Sequence, residues 1–107
     1  MAGRPQNLTP DQALSLADAT YVDVRTAQEF SFDIGRIEGA VNVPLQDMAT
    51  SGFPAELLKA KHLVIVCRSG ARSGQAAAML APHAEGTVYN LMGGMAMWAR
   101  LGLPMER

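Results

Sequence analysis

Cysteine is almost absent from the chain: Cys67 is the only one in 107 residues. One thiol makes no internal disulfide, no multi-cysteine zinc site and no Cys-x-x-Cys redox pair, which excludes a disulfide-stapled secreted domain. An excess of either charge is also missing. Nine Lys and Arg oppose ten Asp and Glu, for a formal net charge of −1 with both histidines neutral. That balance excludes binding of nucleic acid or a membrane surface through a general basic field. Charged residues are only 18% and form no block of one sign, so the composition is not that of a disordered chain. No stretch approaches the roughly 20 apolar residues of a membrane helix. Residues 1–7 lack the apolar run of a signal peptide, and the expectation is a protein of the reducing cytoplasm. No repeat, low-complexity tract or linker divides the chain, so one domain over 1–107 is expected.

What is present is an alternation of short apolar strands and helices. Tyr21-Val22-Asp23-Val24 and Ala40-Val41-Asn42-Val43 read as strands, the second stopped by Pro44, which has no amide hydrogen to donate. Leu63-Val64-Ile65-Val66-Cys67 is continuously apolar, as in a strand buried on both faces. Thr87 to Leu91 is a fourth strand and Gln6-Asn7-Leu8 a short edge strand. Thr9-Pro10-Asp11 starts a helix, with an N-cap hydroxyl, proline at the first position and an acid at the positive dipole end. Leu14, Leu16 and Ala17 would form its apolar face. Further helices are expected over 54–59, over 73–80 with Pro82 ending it, and over 95–101, closed by Gly102 and Pro104. This order predicts a mostly parallel α/β sheet covered on both sides. Ligands of such sheets bind beyond the carboxyl ends of the strands, where Cys67 stands.

Cys67-Arg68-Ser69-Gly70-Ala71-Arg72-Ser73-Gly74 therefore links a buried strand to a helix. A free cysteine at a strand end is ordinarily a small buried apolar residue. Here two arginines, two serines and a glycine follow it closely. Positive charge and the N-terminus of the next helix favour a thiolate over the ordinary thiol of pKa ~8.5. Gly70 permits a positive φ, which lets successive amides turn inward as an anion nest. Cysteine-dependent phosphatases use C-x5-R; here the arginine comes one residue early and Ser73 stands at the phosphatase position. The shorter loop suits one extra sulfur atom on Cys67 better than a phosphoryl group.

With these residues in view, the chain resembles a single-domain rhodanese, a sulfurtransferase family, from about Leu8 to Pro104. Tyr21-Val22-Asp23-Val24-Arg25 with Glu29-Phe30 resembles the family's D-V-R…E-F/Y. Gly35-Arg36-Ile37-Glu38-Gly39-Ala40-Val41-Asn42-Val43-Pro44 resembles G-H-I-x-G-A-x-N-I-P. Cys67 to Arg72 resembles C-R-S-G-x-R, and Leu91-Met92-Gly93-Gly94 with Trp98 and Gly102-Leu103-Pro104 resembles L-x-G-G-x-x-x-W…G-L-P. Arg36 replaces the common histidine, and five residues separate Glu29 from Gly35 where members often have three. Ser31 to Ile34 is read as the longer surface loop.

The resemblance implies a three-layer α/β/α fold with a five-stranded parallel sheet of order 1-5-4-2-3 and Cys67 ending strand four at its centre. It implies a catalytic Cys67 that carries sulfur as a persulfide, with Arg68, Ser69, Gly70, Ala71 and Arg72 binding the substrate. The donor would be a small anionic sulfur compound such as thiosulfate, a polysulfide or a persulfide. The acceptor would be cyanide or a thiol, or a protein in a persulfide relay. No metal, cofactor, nucleic acid or membrane is implied. A rhodanese-like binding module without enzymatic activity is the rival.

The supporting residues carry open alternatives. Arg68 either steers the donor or is solvated at a loop tip. Arg72 closes the loop or pairs with Asp23 or Glu29 as scaffold. Asp23 and Arg25 support the loop from a neighbouring strand, although a plain Arg25–Glu29 ion pair is the favoured reading. His62 and His83 read as surface or structural residues, Met97 and Trp98 as core, and Met92 and Met95 as core or pocket rim.

Overall fold

The computed structural model describes residues 3–107. Five strands form one parallel sheet: β1 (Gln6–Leu8), β2 (Ala19–Asp23), β4 (Val41–Asn42), β5 (His62–Val66) and β6 (Thr87–Leu91). Their order is β1-β6-β5-β2-β4. Renumbered within the sheet this is 1-5-4-2-3, the expected topology, with β5 at the centre. Two short strands, β3 (Arg36–Ile37) and β7 (Met105–Glu106), pair antiparallel and tie the C-terminus to the segment before β4.

Period-two alternation along the strands builds the layers. Val22, Leu63, Ile65 and Val88 face one side, with Ala76, Ala77 and Leu80 of α4 (Ala71–Leu80) and Met48 of α3 (Leu45–Ser51). Leu8, Val64, Val66, Tyr89 and Leu91 face the other, with Ala13 of α1 (Pro10–Leu14) and Met95 and Trp98 of α5 (Gly94–Arg100). The central strand is apolar on both faces because both are covered: its residues from Leu63 to Val66 are all inaccessible to solvent.

The cap at Thr9 forms as read, and Gln12 completes it as a capping box. The helix behind it is shorter than expected. It ends at Leu14, which is exposed, and Ala13 carries the buried face. Residues 54–59 do not make an α-helix; only Leu57–Lys59 form a single 3-10 turn, where Leu57 and Leu58 pack on the core. Two helices lay outside the sequence reading. One is α3, and the other is α2 (Ala27–Phe32), capped by Thr26 and Glu29 in a second capping box. Because α2 runs to Phe32, the surface loop read over residues 31–34 is partly helical.

Candidate active site

The central strand ends at Val66, and Cys67 follows at the carboxyl edge of the sheet. The chain turns through Arg68, Ser69 and Gly70 into α4. Gly70 has a φ of +106° at the N-cap, so the freedom that glycine offers is used here. Its amide donates to Cys67 Sγ at 3.0 Å. The Ser73 hydroxyl, one helical turn further, lies 3.3 Å from the same sulfur. Cys67 is 1% exposed, and neither of two cavities flanking the loop has it in the lining. The sulfur is buried, yet the nitrogens around it face inward.

Those two facts oppose each other in the thiol's acidity. Burial is the largest single influence and pushes the Cys67 pKa up. Hydrogen bonds from the Ser73 side chain and from the backbones of Ser73, Gly70 and Ser69 together outweigh it, and the thiol ends below its ordinary value. This revises the share expected of the arginines and keeps that of the inward amides. Both arginines are engaged by carboxylates: Arg68 Nη1 is 2.5 Å from Asp33 Oδ2, and Arg72 donates to both oxygens of Glu29 at 2.6 and 2.9 Å. The hydrogen bonds of the loop, more than free positive charge, favour the thiolate.

The same contacts place the supporting residues. Arg72 pairs with Glu29 of α2. That pair holds the Glu29 carboxyl down at about 2 from an ordinary 4.5, chiefly through the Arg72 hydrogen bond. An Arg25–Glu29 pair does not form, because Arg72 takes Glu29. Arg25 is fully buried against Asp23 instead, at 2.8 Å between Nη2 and Oδ2. Asp23 also accepts from the Arg25 backbone amide. Asn42 of β4 donates to the Asp23 and Arg25 carbonyls, fixing the end of β2 beside the loop. Ser69 and Ala71 are exposed at the turn.

The Gly93-Gly94 pair acts on the loop from α5. The Met95 amide donates to the Cys67 carbonyl at 2.8 Å and the Ala96 amide to the Arg68 carbonyl at 2.9 Å. The unpaired first amides of one helix thus satisfy the carbonyls of the cysteine loop. A Cβ on Gly94 would stand 2.4 Å from the Cys67 oxygen and 2.6 Å from the Arg68 oxygen. Met95 is fully buried and belongs to the core, while Met97 is only half-buried, the reverse of the expected emphasis, and Met92 is exposed. His62 bonds Tyr89 Oη at the far end of the sheet, and His83 is exposed.

One residue of the site was missed. Asn90, on β6, accepts from the Ser73 hydroxyl at 2.5 Å. Its signal was a polar side chain in an apolar strand, two positions after Val88 and so on the α4 face. Gly74 leaves it room: a Cβ there would lie 3.4 Å from Asn90 Nδ2.

The comparisons with known proteins agree with this architecture. The model of the rhodanese-like domain matches residues 9–101. A sulfurtransferase of Allochromatium vinosum is 42% identical over 88 residues, covering 82% of this chain and 78% of that protein. Thiosulfate sulfurtransferase GlpE of Actinobacillus succinogenes is 36% identical over 103 residues, covering 92% of this chain and 88% of that one. Among solved structures, a rhodanese-like domain protein from Staphylococcus aureus superposes with a TM-score of 0.70 at 26% identity, covering 95% of this chain and 99% of that one. The cysteine loop at the centre of a 1-5-4-2-3 parallel sheet, the family match and the sulfurtransferase relatives together place the chain in the rhodanese-like domain family.

Proposed function

We propose that the protein is a sulfurtransferase that carries a sulfane sulfur as a persulfide on Cys67. The observation that supports this most directly is a buried thiol held by the Gly70 amide and the Ser73 hydroxyl, whose pKa lies below its ordinary value. A structural cysteine gains nothing from such a cradle. A persulfide anion does, as an oxyanion gains from inward amides.

The reaction has two halves. The Cys67 thiolate attacks the outer sulfur of a donor such as thiosulfate, a polysulfide or a persulfide. A new S–S bond forms on Cys67, the donor's own S–S bond breaks, and sulfite or a thiolate departs with the bonding pair. The terminal sulfur anion is held by the amides of the turn from Arg68 to Arg72. An acceptor, cyanide or a thiolate, then attacks that terminal sulfur and the Cys67 thiolate leaves. The covalent intermediate predicts ping-pong kinetics. Arg68, at the rim, receives the anionic donor. Arg72, Asp23 and Arg25 position the loop. No general base is required, since the cradle supplies the thiolate.

The test is to incubate the protein with thiosulfate and measure intact mass. The expected result is a gain of one sulfur that dithiothreitol removes and that Cys67→Ser does not acquire. If no donor of a panel of thiosulfate, polysulfide, glutathione persulfide and mercaptopyruvate delivers sulfur to Cys67, the protein is a binding module.

A further inference from the structure

Asp33 stands between two guanidinium groups. Its Oδ2 is 2.5 Å from Arg68 Nη1 and 3.6 Å from Arg25 Nη1. The two arginines are held differently. Arg25 is fully buried, its Nε bonded to both Asp23 oxygens and its Nη2 to Asp23 and the Gly35 carbonyl. Its Nη1 is buried with no hydrogen-bond partner among the described residues. An unmade bond at a buried charged donor is costly, and the carboxylate facing this one is Asp33, just outside bonding distance. Arg68 is half exposed. With Asp33, Glu29 and Phe32 it lines an open cavity of about 330 Å³ beside the cysteine loop.

This arrangement allows one pair to be traded for another. We propose that Asp33 sets the preference of Cys67 for anionic donors by passing from Arg68 to Arg25 when an anion enters the cavity. The incoming anion takes the Arg68 guanidinium. Asp33 closes the gap to Arg25 Nη1, which gains the acceptor it lacks. No carboxylate is stranded and no charge is left alone, so the exchange costs less than breaking an isolated pair. A donor with an anionic group beside its transferable sulfur gains Arg68 in this way, whereas a neutral reagent gains nothing. The inference rests on Cys67 being the reacting sulfur, as proposed above.

The experiment compares two alkylating agents of similar size on Cys67: iodoacetate, which is anionic, and iodoacetamide, which is neutral. Both attack the same thiolate, so the ratio of their rate constants cancels thiol acidity and burial. Asp33→Asn frees Arg68 and is expected to raise the iodoacetate-to-iodoacetamide ratio by about threefold, the scale of one exposed ion pair. Arg68→Gln is expected to lower the ratio below that of the unaltered protein, and Asp33→Asn in the Arg68→Gln background to add nothing. An unchanged ratio in Asp33→Asn overturns the proposal. So does a rise that persists without Arg68, since Asp33 would then act only as a background charge. Should Asp33→Asn fail to fold, Arg68→Gln decides, and an unchanged ratio there overturns the exchange. Alkylation needs no sulfur transfer. Ratio shifts as expected in a protein that gains no sulfur from any donor of the panel would uphold the exchange and refute the sulfurtransferase reading.

Discussion

The hydroxyl of Ser73 has one proton and two neighbours that can take it. It lies 3.3 Å from Cys67 Sγ and 2.5 Å from Asn90 Oδ1. With Cys67 as a thiol, sulfur donates to Ser73 and Ser73 donates to Asn90. With Cys67 ionised, the Ser73 proton turns to the sulfur, and Asn90 can offer its amide nitrogen to the same oxygen by turning over. The serine thus matches its donor to the charge that appears. Ser73→Ala removes the strongest of the influences that lower the Cys67 pKa and leaves burial, which raises it, in place. The expected outcome is a higher thiol pKa, read as a shift of the pH profile of iodoacetamide alkylation toward alkaline pH. An unshifted profile would assign the acidity to the loop amides alone. The position of Ser73 was legible in the sequence, one residue beyond the loop arginine. Its pairing with Asn90 was not, because Asn90 lies 17 residues away, on β6, and the contact exists only once that strand lies beside α4.

Among the elements, α2 owes its place to the cysteine loop. It buries none of its residues, so hydrophobic packing does not anchor it. What joins it to the loop is the two-pronged Glu29–Arg72 pair, together with Arg68 on Asp33 at its C-terminal cap. The folded-state Glu29 carboxyl is held at about 2 against an ordinary 4.5. A depressed carboxyl contributes stability above its unfolded value, and that contribution is lost as pH falls from about 4.5 through about 2. Glu29→Gln is therefore expected to be less stable than the unaltered protein at pH 7, by about 1 kcal/mol for a pair this open to solvent. The two thermal midpoints should converge as pH falls through that window. A gap that stays constant to pH 2 would show that Glu29 acts through packing. The lack of a buried face also explains why α2 escaped the sequence reading: apolar periodicity had nothing to report there. The Thr26-x-x-Glu29 capping box was its visible signature. The strands were easier to read, since β5 and β6 each carry continuous or alternating apolar runs that only a covered sheet can bury. β3 and β7, two residues each, are too short to show any period.

Across the whole molecule, the two apolar layers do different jobs. The α4 side carries the sulfur: Cys67 is itself a member of that cluster, with Ala76 and Ala77 packed close behind the loop. The α5 side carries the loop's outer support, through the amides of Met95 and Ala96 on the Cys67 and Arg68 carbonyls. The anchor of α5 is Trp98, 1% exposed, edge-on to Tyr21 of β2 with ring centroids 5.9 Å apart. Its indole nitrogen donates to the Pro104 carbonyl at 2.8 Å, which brings the chain round to β7 and its pairing with β3. One side chain thereby joins α5, β2 and the C-terminal strand. Trp98→Ala removes that body and leaves a cavity, at a typical cost of about 3–5 kcal/mol. That is a large part of the ~5–15 kcal/mol that holds an ordinary domain together. The expected result is a lower urea midpoint. Because the lost contacts also position α5 against the loop, Cys67 should become more reactive toward iodoacetamide in the absence of urea, as its cover loosens. A fall in stability with alkylation unchanged would mean that the amides of Met95 and Ala96 hold the loop without help from the far end of their helix.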